Sequence, residues 1–267
     1  MFSKKKNWIF MLALISLFVL AACGSDDSSG NESEAEDGDY DLNESYTVVA
    51  DNSFVPFEFM EDGELVGFDI DLITAIAEEA GFEIDGKIQT TNFDGIIPGL
   101  QTGQFEIAVA GIGITEERKQ TIDYSDPYYE SGLTIAVQQD NEDINSIEDL
   151  EGKTVATRLG STSSQFLEET LEDKTIDTYE QLDQVYMAVE NGSADAVLYD
   201  TPNVEYYIAT TGDGLKTVGD NYQAEEYGIA ISKGNDDLVA AINDALATLQ
   251  ENGTYDEIYD KWFGNEE

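Results

Sequence analysis

Two arginines stand out in this chain, because its 267 residues contain no others and 57 of them are acidic. Arg118 and Arg158 each lie in a short polar segment between apolar runs. The planar guanidinium group of arginine matches a carboxylate through two hydrogen bonds at once, which the point charge of lysine cannot do. We therefore predict that both arginines lie where a ligand group must be held in this geometry.

The segment around Arg118, residues 111–118, has the sequence GIGITEER. Thr115 is a favourable N-cap residue with Glu116 and Glu117 after it, so we predict a helix that begins at Thr115. Arg118 would then lie beside free backbone N–H groups, where an anion can bind. The alternative is that Arg118 pairs with Glu116 or Glu117 on the surface. The Gly-x-Gly pattern does not predict a dinucleotide site, because Glu116 stands where the third glycine should be.

The segment around Arg158 has the sequence RLGSTS at residues 158–163, which combines small residues and hydroxyl groups ahead of a predicted helix. It lacks the lysine and the spacing of a P-loop, so a weak phosphate site and a plain strand-to-helix turn both stay open. Phe54 and Phe93 lie in polar loops, where ordinary core packing explains them equally well. Asp51 and Asp200 are two acids among 57. None of these side chains indicates a site by itself.

The elements that must position these residues alternate between strands and helices. Residues 46–50 are apolar and β-branched, whereas Ile70, Ile73 and Ile76 recur at the spacing of one helical face before Gly81. This order predicts an α/β fold with parallel strands and crossover helices. Strands are predicted at residues 46–50, 106–110, 133–137, 153–157, near 176, 194–199 and near 227–231. Helices are predicted at residues 69–81, 94–103, 163–172, 180–191, 236–251 and 255–263.

Ligands of open parallel sheets bind beyond the carboxyl ends of the strands. Four polar segments follow such ends, at residues 51–54, 111–118, 158–163 and 199–200. The strand and helix pattern restarts near residue 153, which predicts two lobes joined by more than one crossing. The four polar segments are therefore the candidates for a ligand site.

The N-terminal residues have the pattern of a secretory signal. Three lysines at residues 4–6 precede an apolar run at residues 8–22, and the run ends in the sequence LAAC. This ending resembles the lipobox of bacterial lipoproteins, in which the cysteine is lipidated and becomes the new N-terminus. A membrane-spanning helix is the alternative, but it needs about 20 apolar residues and this run is shorter. We predict a signal peptide at residues 1–22 and a lipid anchor on Cys23, the only cysteine.

Residues 23–45 are acidic and rich in serine and glycine, with almost no aliphatic side chains. Such a segment cannot bury enough surface to offset its ordering entropy, so we predict a disordered tether that begins at the lipidated cysteine. Residues 46–267 have ordinary apolar content and are enough for two modest α/β domains. No second apolar run of spanning length follows, which excludes a permease or a receptor kinase.

Six segments of the folded part occur together, in this order, in one protein family: VADNSFVPFEF (49–59), GFDIDL (67–72), FDGIIPGLQ (93–101), ITEER (114–118), DAVLYDTPN (195–203) and NGTYDEIY (252–259). They resemble the polar amino acid binding proteins of ABC importers, which form bacterial solute-binding protein family 3. Within this family the glutamine-binding proteins match best. The resemblance runs from about residue 46 to residue 264.

The resemblance implies a two-lobe venus flytrap of the type II periplasmic-binding-protein class. Each lobe would be a mainly parallel sheet flanked by helices. Two hinge strands would fall near residues 128–132 and 223–227. Lobe 1 would comprise residues 46–130 and 226–267, and lobe 2 residues 131–225.

The resemblance also implies how an amino acid would bind. Arg118 would hold the α-carboxylate, together with the backbone N–H groups of Gly113 and Thr162. Asp200, with the carbonyl of Gly111, would bind the α-ammonium group.

The remaining implied contacts concern the ligand side chain. Phe54 and Phe93 would enclose its aliphatic part. Asp51 and Arg158 would contact the end of the side chain. Asp51 would accept a hydrogen bond from an amide NH2, and Arg158 would donate one to the amide oxygen. This favours glutamine over glutamate, because Asp51 would repel a second carboxylate. No catalytic residue, metal or cofactor is implied.

Three positions depart from the family pattern. Gly113 replaces a threonine or serine, Arg158 replaces the lysine of the glutamine binders, and Tyr199 replaces their histidine. Another polar or basic amino acid, or a zwitterionic compatible solute, therefore stays open as the ligand. An enzyme like the cyclohexadienyl dehydratases, which share this fold, is a further alternative. The chain contains no histidine, so it can form neither a Ser-His nor a Cys-His pair.

These observations together predict a monomeric, lipid-anchored protein on the extracytoplasmic face of the cell membrane. It would capture a polar amino acid, most readily glutamine, and deliver it to the transmembrane subunits of an ABC permease. Closure of the lobes would bring Arg158, Thr162 and Asp200 onto the ligand and exclude water. A sensing module for a separate membrane partner would use the same site.

The charge of the chain indicates its partners and its environment. Loss of residues 1–22 removes three lysines and no acid, which changes the net charge from −45 to −48. A charge of this size repels nucleic acid and anionic membranes and strains the compact state by self-repulsion. We therefore expect a salt-adapted, halophilic source, with a merely acidic secreted protein as the alternative.

We predict that salt stabilises the folded protein. The melting temperature should rise as sodium chloride increases from about 0.05 M to about 1 M, because the Debye length falls from more than about 10 Å to about 3 Å. Sucrose at matched osmolality serves as the control for effects other than screening. A melting temperature that stays flat or falls in the salt titration contradicts the halophile inference.

Overall fold

A computed structural model of the protein describes residues 40–211 and 214–264. The predicted signal peptide, Cys23 and the tether up to residue 39 lie outside the described residues. The end of the predicted tether contacts the folded part, because the Tyr40 hydroxyl donates to Asp244 and Ser45 pairs with Glu83. No helix within the described ranges is long and apolar enough to cross a membrane.

The described residues form short strands and longer helices in alternation. The strands in chain order are β1 (Ser45–Tyr46), β2 (Val48–Ala50), β3 (Ser53–Phe54), β4 (Glu58–Glu61), β5 (Glu64–Val66), β6 (Glu83–Ile84), β7 (Gln89–Thr90), β8 (Ile107–Ala108), β9 (Ile122–Tyr124), β10 (Tyr129–Gln138), β11 (Thr154–Arg158), β12 (Thr175–Tyr179), β13 (Ala196–Asp200), β14 (Leu215–Tyr227) and β15 (Ala230–Ser232). The α-helices are α1 (Phe68–Ala80), α2 (Phe93–Gln101), α3 (Thr162–Thr170), α4 (Leu182–Glu190), α5 (Thr201–Thr211), α6 (Asp236–Asn252) and α7 (Thr254–Phe263). Two short 3-10 helices lie at Arg118–Gln120 and Ile147–Leu150.

Lobe 1 is built on a five-stranded sheet with the order β7-β2-β8-β15-β9. Strand β2 runs parallel to β7 and β8, whereas β15 runs antiparallel to β8 and β9. Helix α1 buries Leu72, Ile73 and Ile76 in the core of this lobe. It ends where Gly81 adopts φ 78°, a left-handed conformation that glycine adopts without steric cost.

Lobe 2 is built on a second five-stranded sheet with the order β12-β11-β13-β10-β14. Strand β11 runs parallel to β12 and β13, and β10 runs antiparallel to β13 and β14. Ile135, Val155 and Leu198 on neighbouring strands are fully buried. Strands covered on both faces have such continuous apolar runs.

The chain passes between the two sheets twice, at residues 125–128 and at residues 228–229. Next to these crossings β10 and β14 pair with each other, with Tyr129 opposite Tyr227 and Ser131 opposite Glu225. Two paired strands at the crossings are the arrangement expected of a hinge. The structure therefore has the two lobes and the two hinge strands that the family resemblance implies.

An aromatic cluster packs against the hinge strands. The ring centroid of Phe57 lies 4.9 Å from Tyr129, 5.5 Å from Tyr227 and 5.2 Å from Phe263 of helix α7. Phe57 connects strands β3 and β4 of a small antiparallel sheet, β3-β4-β5. Aromatic pairs at these distances add to the free energy of burial, so the C-terminal helix stabilises the hinge.

The predicted α/β fold class is confirmed, and the six helices predicted with both ends begin and end within two residues of the observed ones. Both sheets are mixed rather than mainly parallel, because the hinge strands and the return strand β15 add antiparallel pairs. Sequence periodicity missed α5, β14 and the small sheet. The helix predicted to begin at Thr115 is wrong, since only the 3-10 helix Arg118–Gln120 forms there.

Candidate functional site

The candidate ligand-binding residues lie at one edge of each sheet. In lobe 1, Asp51 follows β2, and residues 111–118 follow the parallel strand β8. In lobe 2, Arg158 is the last residue of β11, and Asp200 is the last residue of the parallel strand β13. Parallel strands bring the residues at their carboxyl ends to a common edge. The two edges face each other across the cleft between the lobes.

Asp51 of lobe 1 and Arg158 of lobe 2 form an ion pair across this cleft. Arg158 Nη1 donates to Asp51 Oδ2 at 2.5 Å, and both side chains are 0% exposed. Arg158 Nη2 also donates to Ser53 Oγ at 3.3 Å and to the carbonyl of Glu180 at 3.2 Å. Among the described residues, Asp51 Oδ1 and Arg158 Nε are buried without a hydrogen-bond partner. The pair therefore still offers one acceptor and one donor to a polar group.

Further hydrogen bonds between the lobes lie around the site. The Asn203 side chain donates to the carbonyl of Val55 at 2.7 Å, and Gln181 donates to Asn92 Oδ1 at 2.8 Å. Asn203 and Gln181 belong to lobe 2, whereas Val55 and Asn92 belong to lobe 1. The described conformation is therefore closed, which explains why the site side chains are buried.

Arg118 forms no ion pair with a carboxylate in residues 40–211 and 214–264. Its Nη1 donates to the carbonyl of Gly113 at 2.9 Å, and its Nη2 donates to the carbonyl of Gly160 in lobe 2 at 3.0 Å. Glu116 instead pairs with Lys119 at 2.9 Å. The alternative of a surface pair between Arg118 and a neighbouring glutamate is therefore wrong, and the guanidinium charge faces the cleft without a counter-ion.

The backbone around Arg118 forms a single turn rather than the start of an α-helix. The Arg118 N–H donates to Thr115 Oγ1 at 3.2 Å, and the Lys119 N–H donates to the Thr115 carbonyl at 3.0 Å. The first bond is the one that an N-cap at Thr115 accepts, and the second would also form in an α-helix, so the difference lies in the 3-10 helix that follows. No α-helix begins at this position, so the guanidinium group is the main anion-binding group of the segment.

The ring of Phe93 brings the two arginines together. The Cζ atom of Arg118 lies 5.8 Å from the Phe93 ring centroid, and the Cζ atom of Arg158 lies 5.3 Å from it. Phe93 is the first residue of α2 and is 7% exposed. A cation over an aromatic face at this range is stabilised by the ring quadrupole. Phe93 thus orients both cations and also presents an apolar surface to the cleft.

Phe54 and Gly111 are in direct contact on the other side of the site. A Cβ atom on Gly111 would lie 2.3 Å from Phe54 Cε1, and Gly111 has φ +51°. Only glycine fits there, because any side chain would displace the ring. The Phe54 ring also stacks on Phe57 at 4.9 Å and meets Tyr199 edge-on at 6.0 Å. Phe54 is therefore fixed by packing, and Gly111 makes room for it.

Gly113 and Thr162 meet across the cleft near Arg118. A Cβ atom on Gly113 would lie 3.0 Å from Thr162 Cγ2 and 3.7 Å from Arg118 Nη1. Gly113 lies between two backbone hydrogen bonds, since the Ile114 N–H donates to the Glu226 carbonyl and the Gly228 N–H donates to the Ile112 carbonyl. The Gly113 N–H itself donates to no backbone carbonyl in the described ranges. Thr162 opens α3, so its N–H has no partner within the helix. Two backbone donors are thus available beside the guanidinium group: those of Gly113 and Thr162.

Asp200 supplies a buried negative charge at the same edge. It is 5% exposed, and its Oδ2 accepts a hydrogen bond from the Tyr227 hydroxyl at 2.5 Å. Its Oδ1 is buried without a partner among the described residues. Burial raises the pKa of Asp200 well above its usual range, and the charge of Glu225 raises this pKa further.

Glu225 is a site residue that the sequence did not reveal. It is 7% exposed, and its Oε1 accepts a hydrogen bond from Gln223 at 3.1 Å. Burial raises its pKa, whereas the Thr162 hydroxyl and the Arg118 charge oppose the rise. The signal available in the sequence was the alternation along β14, where Glu225 and Tyr227 flank the exposed Glu226. The family resemblance implied a hinge strand at residues 223–227, but it did not indicate which face of that strand is buried.

Comparisons with known proteins agree with this geometry. Residues 46–265 match the family of bacterial extracellular solute-binding proteins, family 3. The ABC transporter glutamine-binding protein GlnH of Bacillus subtilis is 35% identical over 270 residues, which cover 95% of this chain and 96% of the relative. A solved structure of an ancestral arginine-binding protein bound to arginine has a TM-score of 0.78 at 41% identity, and covers 83% of this chain and 99% of its own. A solved structure of an ancestral arginine-binding protein bound to glutamine also has a TM-score of 0.78 at 41% identity, and covers 84% of this chain and 100% of its own.

Two further carboxyl groups lie directly behind the site. Glu58 and Asp69 are both 0% exposed. Asp69 Oδ2 accepts hydrogen bonds from the Gly111 N–H at 2.9 Å and from the Tyr128 hydroxyl at 2.9 Å. Burial raises the pKa of Asp69 to about 6 and that of Glu58 well above its usual range. The charge of Asp69 raises the pKa of Glu58 further, so a protonated Glu58 is the group that can donate to the unpaired Asp69 Oδ1.

We predict that Glu58→Gln stabilises the protein at pH 8. Both carboxyl groups have raised pKa values in the folded state, so the folded state binds more protons and the free energy of unfolding falls as pH rises from about 4 through 6. The neutral amide removes the penalty for ionising Glu58 and keeps a donor for Asp69. We expect the free energy of unfolding to increase by about 1 to 3 kcal/mol at pH 8 and by less at pH 4.

Urea unfolding at pH 4, 6 and 8 measures this difference. Glu61→Gln is the matched control, because Glu61 lies in the same strand β4 but is exposed. A Glu58→Gln variant that is less stable than wild type at pH 8, or a control that gains equally, rules out a protonated Glu58.

Proposed function

The chain belongs to the bacterial extracellular solute-binding proteins, family 3, the amino-acid-binding components of ABC transporters, and we propose that its ligand is glutamine. One observation carries the proposal. Among the described residues, Arg118 has no carboxylate partner and Asp200 Oδ1 has no hydrogen-bond partner, and both lie at the cleft between the closed lobes. A partly buried cation and a buried anion that do not pair with each other complement a zwitterion.

The α-carboxylate of the ligand binds Arg118. The guanidinium fork and the N–H groups of Gly113 and Thr162 supply up to four donors, which suits a carboxylate with two oxygens. The α-ammonium group binds the free Oδ1 of Asp200 and the carbonyl of Gly111. This half of the site accepts the group that all free α-amino acids share.

The side chain of the ligand binds on the other side of Phe93. Phe54 and Phe93 contact its methylene groups, and the pair of Asp51 and Arg158 contacts its end. Asp51 Oδ1 can accept from an amide NH2, and Arg158 Nε can donate to an amide oxygen. An amide satisfies both at once, whereas a carboxylate would oppose Asp51.

A basic amino acid is the second candidate ligand, and the free acceptor on Asp51 favours it. A guanidinium group could donate to Asp51 Oδ1, and similar ancestral arginine-binding proteins were solved bound to arginine and bound to glutamine. Arg158 opposes this ligand, because its charge lies in the same ion pair and would repel a second cation. We therefore place glutamine ahead of arginine as the ligand. A zwitterionic compatible solute would contact only the half of the site that contains Arg118 and Asp200.

We propose a binding protein rather than an enzyme. Dehydration of a cyclohexadienyl acid requires a proton donor placed over the leaving hydroxyl group, and the chain has no histidine for this role. Incubation with prephenate should therefore give no turnover above the uncatalysed rate. Ligand capture followed by delivery to the permease subunits needs only closure and reopening of the two lobes.

We further propose that a lipid on Cys23 holds the protein, as a monomer, at the outer face of the cell membrane. Cys23→Ser should release the protein into the medium or leave the signal peptide uncleaved, because no cysteine then remains for lipid attachment. Membrane fractionation and the mass of the mature N-terminus measure this. Ala22→Gly is the control, because it leaves the cysteine in place, and a processed Cys23→Ser protein that stays with the membrane rules the anchor out.

The two arginines should have separable effects on binding. Arg118→Ala removes the partner of the α-carboxylate and should weaken glutamine, glutamate and alanine alike, by about 2 to 5 kcal/mol. Arg158→Ala should weaken glutamine but hardly affect alanine. Asp51→Asn should reduce the discrimination between glutamine and glutamate, because the repulsion of a second carboxylate is lost.

Isothermal titration of each variant with the three amino acids decides between these roles. Lys119→Ala is the matched control, since Lys119 is the next residue but pairs with Glu116 on the surface. The double variant Arg158→Ala with Asp51→Asn separates lost ligand contacts from an unpaired buried Asp51. Equal losses for all three ligands at Arg158, or no loss at Arg118, would show that the roles are wrongly assigned.

A further inference from the structure

The hinge strand β14 places a second carboxyl group in the ammonium half of the site. Glu225 lies opposite Ser131 of β10, and it shares a face of β14 with Tyr227. The Tyr227 hydroxyl donates to Asp200 Oδ2 at 2.5 Å and lies 3.1 Å from Ser131 Oγ. Glu225, Tyr227 and Asp200 therefore line the same part of the cleft.

Both carboxyl groups have one oxygen that nothing in the described residues satisfies. Asp200 is 5% exposed and Glu225 is 7% exposed. Asp200 Oδ1 and Glu225 Oε2 are buried without a hydrogen-bond partner. Glu225 also lines a cavity of about 410 Å³, together with Gly113 and Thr162. Two buried carboxylates with free oxygens would be costly if both were ionised.

The charged groups around this pair do not neutralise both carboxylates. Arg158 forms its ion pair with Asp51, which leaves Arg118 as the nearest unpaired cation for two acids. Its charge lowers the pKa of each of them, and Arg158 lowers that of Asp200 alone. The other titratable groups that face the pair are the hydroxyl groups of Tyr227, Tyr199 and Tyr186, and Glu130 lies on the exposed rim of the cavity. One cation against two acids leaves one negative charge without compensation.

We propose that Asp200 and Glu225 share one proton while the site is empty, and that the α-ammonium group of the ligand replaces this proton. The inference rests on the proposed function, because the ligand must carry an ammonium group to Asp200. On binding, one O–H bond of the pair breaks, the proton leaves to the buffer, and the carboxylate accepts hydrogen bonds from the ammonium group. Glu225 is then a specificity residue, since a ligand whose nitrogen is acylated cannot replace the proton.

The exchange makes binding dependent on pH. A proton that competes with the ligand weakens binding at low pH, so affinity rises with pH until the pair has lost its proton. One exchanged proton changes Kd by at most about tenfold per pH unit. The two carboxyls titrate as a pair with two apparent pKa values, rather than as independent groups.

Titration calorimetry with L-glutamine and L-arginine, in phosphate and in Tris buffers, tests the exchange. The difference in apparent heat between the buffers counts the protons released. Wild type should release close to one proton per ligand near pH 6, and N-acetyl-L-glutamine should bind at least about a hundredfold more weakly than L-glutamine. Glu225→Gln removes the second acid, so it should release fewer protons and bind L-glutamine more tightly than wild type at pH 5.

Glu226→Gln is the matched control, because Glu226 is the next residue on β14 but its side chain points away from the pair and is exposed. It should release the same number of protons as wild type. Glu225→Asp keeps a carboxyl group and should retain the release, which separates the loss of the acid from a general change in the hinge. No proton release in wild type, or equal release in Glu225→Gln, overturns the proposal.

A measurement without ligand separates this inference from the proposed function. Carboxyl 13C chemical shifts of the ligand-free protein, followed by NMR between pH 3 and pH 9, should show that Glu225→Gln lowers the apparent pKa of Asp200. If no amino acid binds wild type, the proposed function and the replacement step fail together, and the NMR titration still decides whether a proton is shared. An Asp200 titration that is identical in wild type and Glu225→Gln overturns the shared proton.

Discussion

The ion pair between Asp51 and Arg158 is the interaction on which the closed structure depends. It joins the end of β2 in lobe 1 to the end of β11 in lobe 2, and both side chains are completely buried. Neither charge could be buried alone, because an unpaired buried ion costs several kcal/mol. The pair can therefore form only when the lobes close, and opening returns both groups to water. Closure of the lobes and pairing of the Asp51 and Arg158 charges therefore occur together.

The site combines that compensated pair with groups that the protein leaves unsatisfied. Within the part of the chain that the structure describes, Arg118 is bonded to two carbonyl groups and to no carboxylate, and Asp200 retains a free oxygen. A buried polar atom without a partner costs about 1 to 3 kcal/mol, so Asp200 Oδ1, Asp51 Oδ1 and Arg158 Nε destabilise the closed form until a ligand pairs with them. Phe93 limits the cost, because its ring lies under both guanidinium groups. The same atoms that oppose closure of the empty protein favour closure around a zwitterion.

The hinge is part of the site and not only a connection between lobes. Strand β14 carries Glu225 and Tyr227 on one face, and Tyr227 bonds directly to Asp200. Strand β10 pairs with β14 and places Ser131 beside the same hydroxyl group. A change in the charge of Asp200 therefore acts directly on the hinge strands. Conversely, rotation at the hinge changes the surroundings of Asp200.

The sequence by itself determined the α/β class, the family, most helix boundaries and the placement of the candidate site residues at strand ends, because each follows from a local pattern such as the helical periodicity before Gly81. Tertiary structure decided which groups pair. Residues 51 and 158 meet only because two lobes close, and Arg118 avoids its neighbouring glutamates because the single turn at Thr115 directs its side chain into the cleft. Glu225 became a site residue because the pairing of β14 with β10 determines which of its faces is buried. Local sequence sets which side chains alternate along a strand, but only the neighbouring strand and the opposite lobe determine which of the two faces meets water.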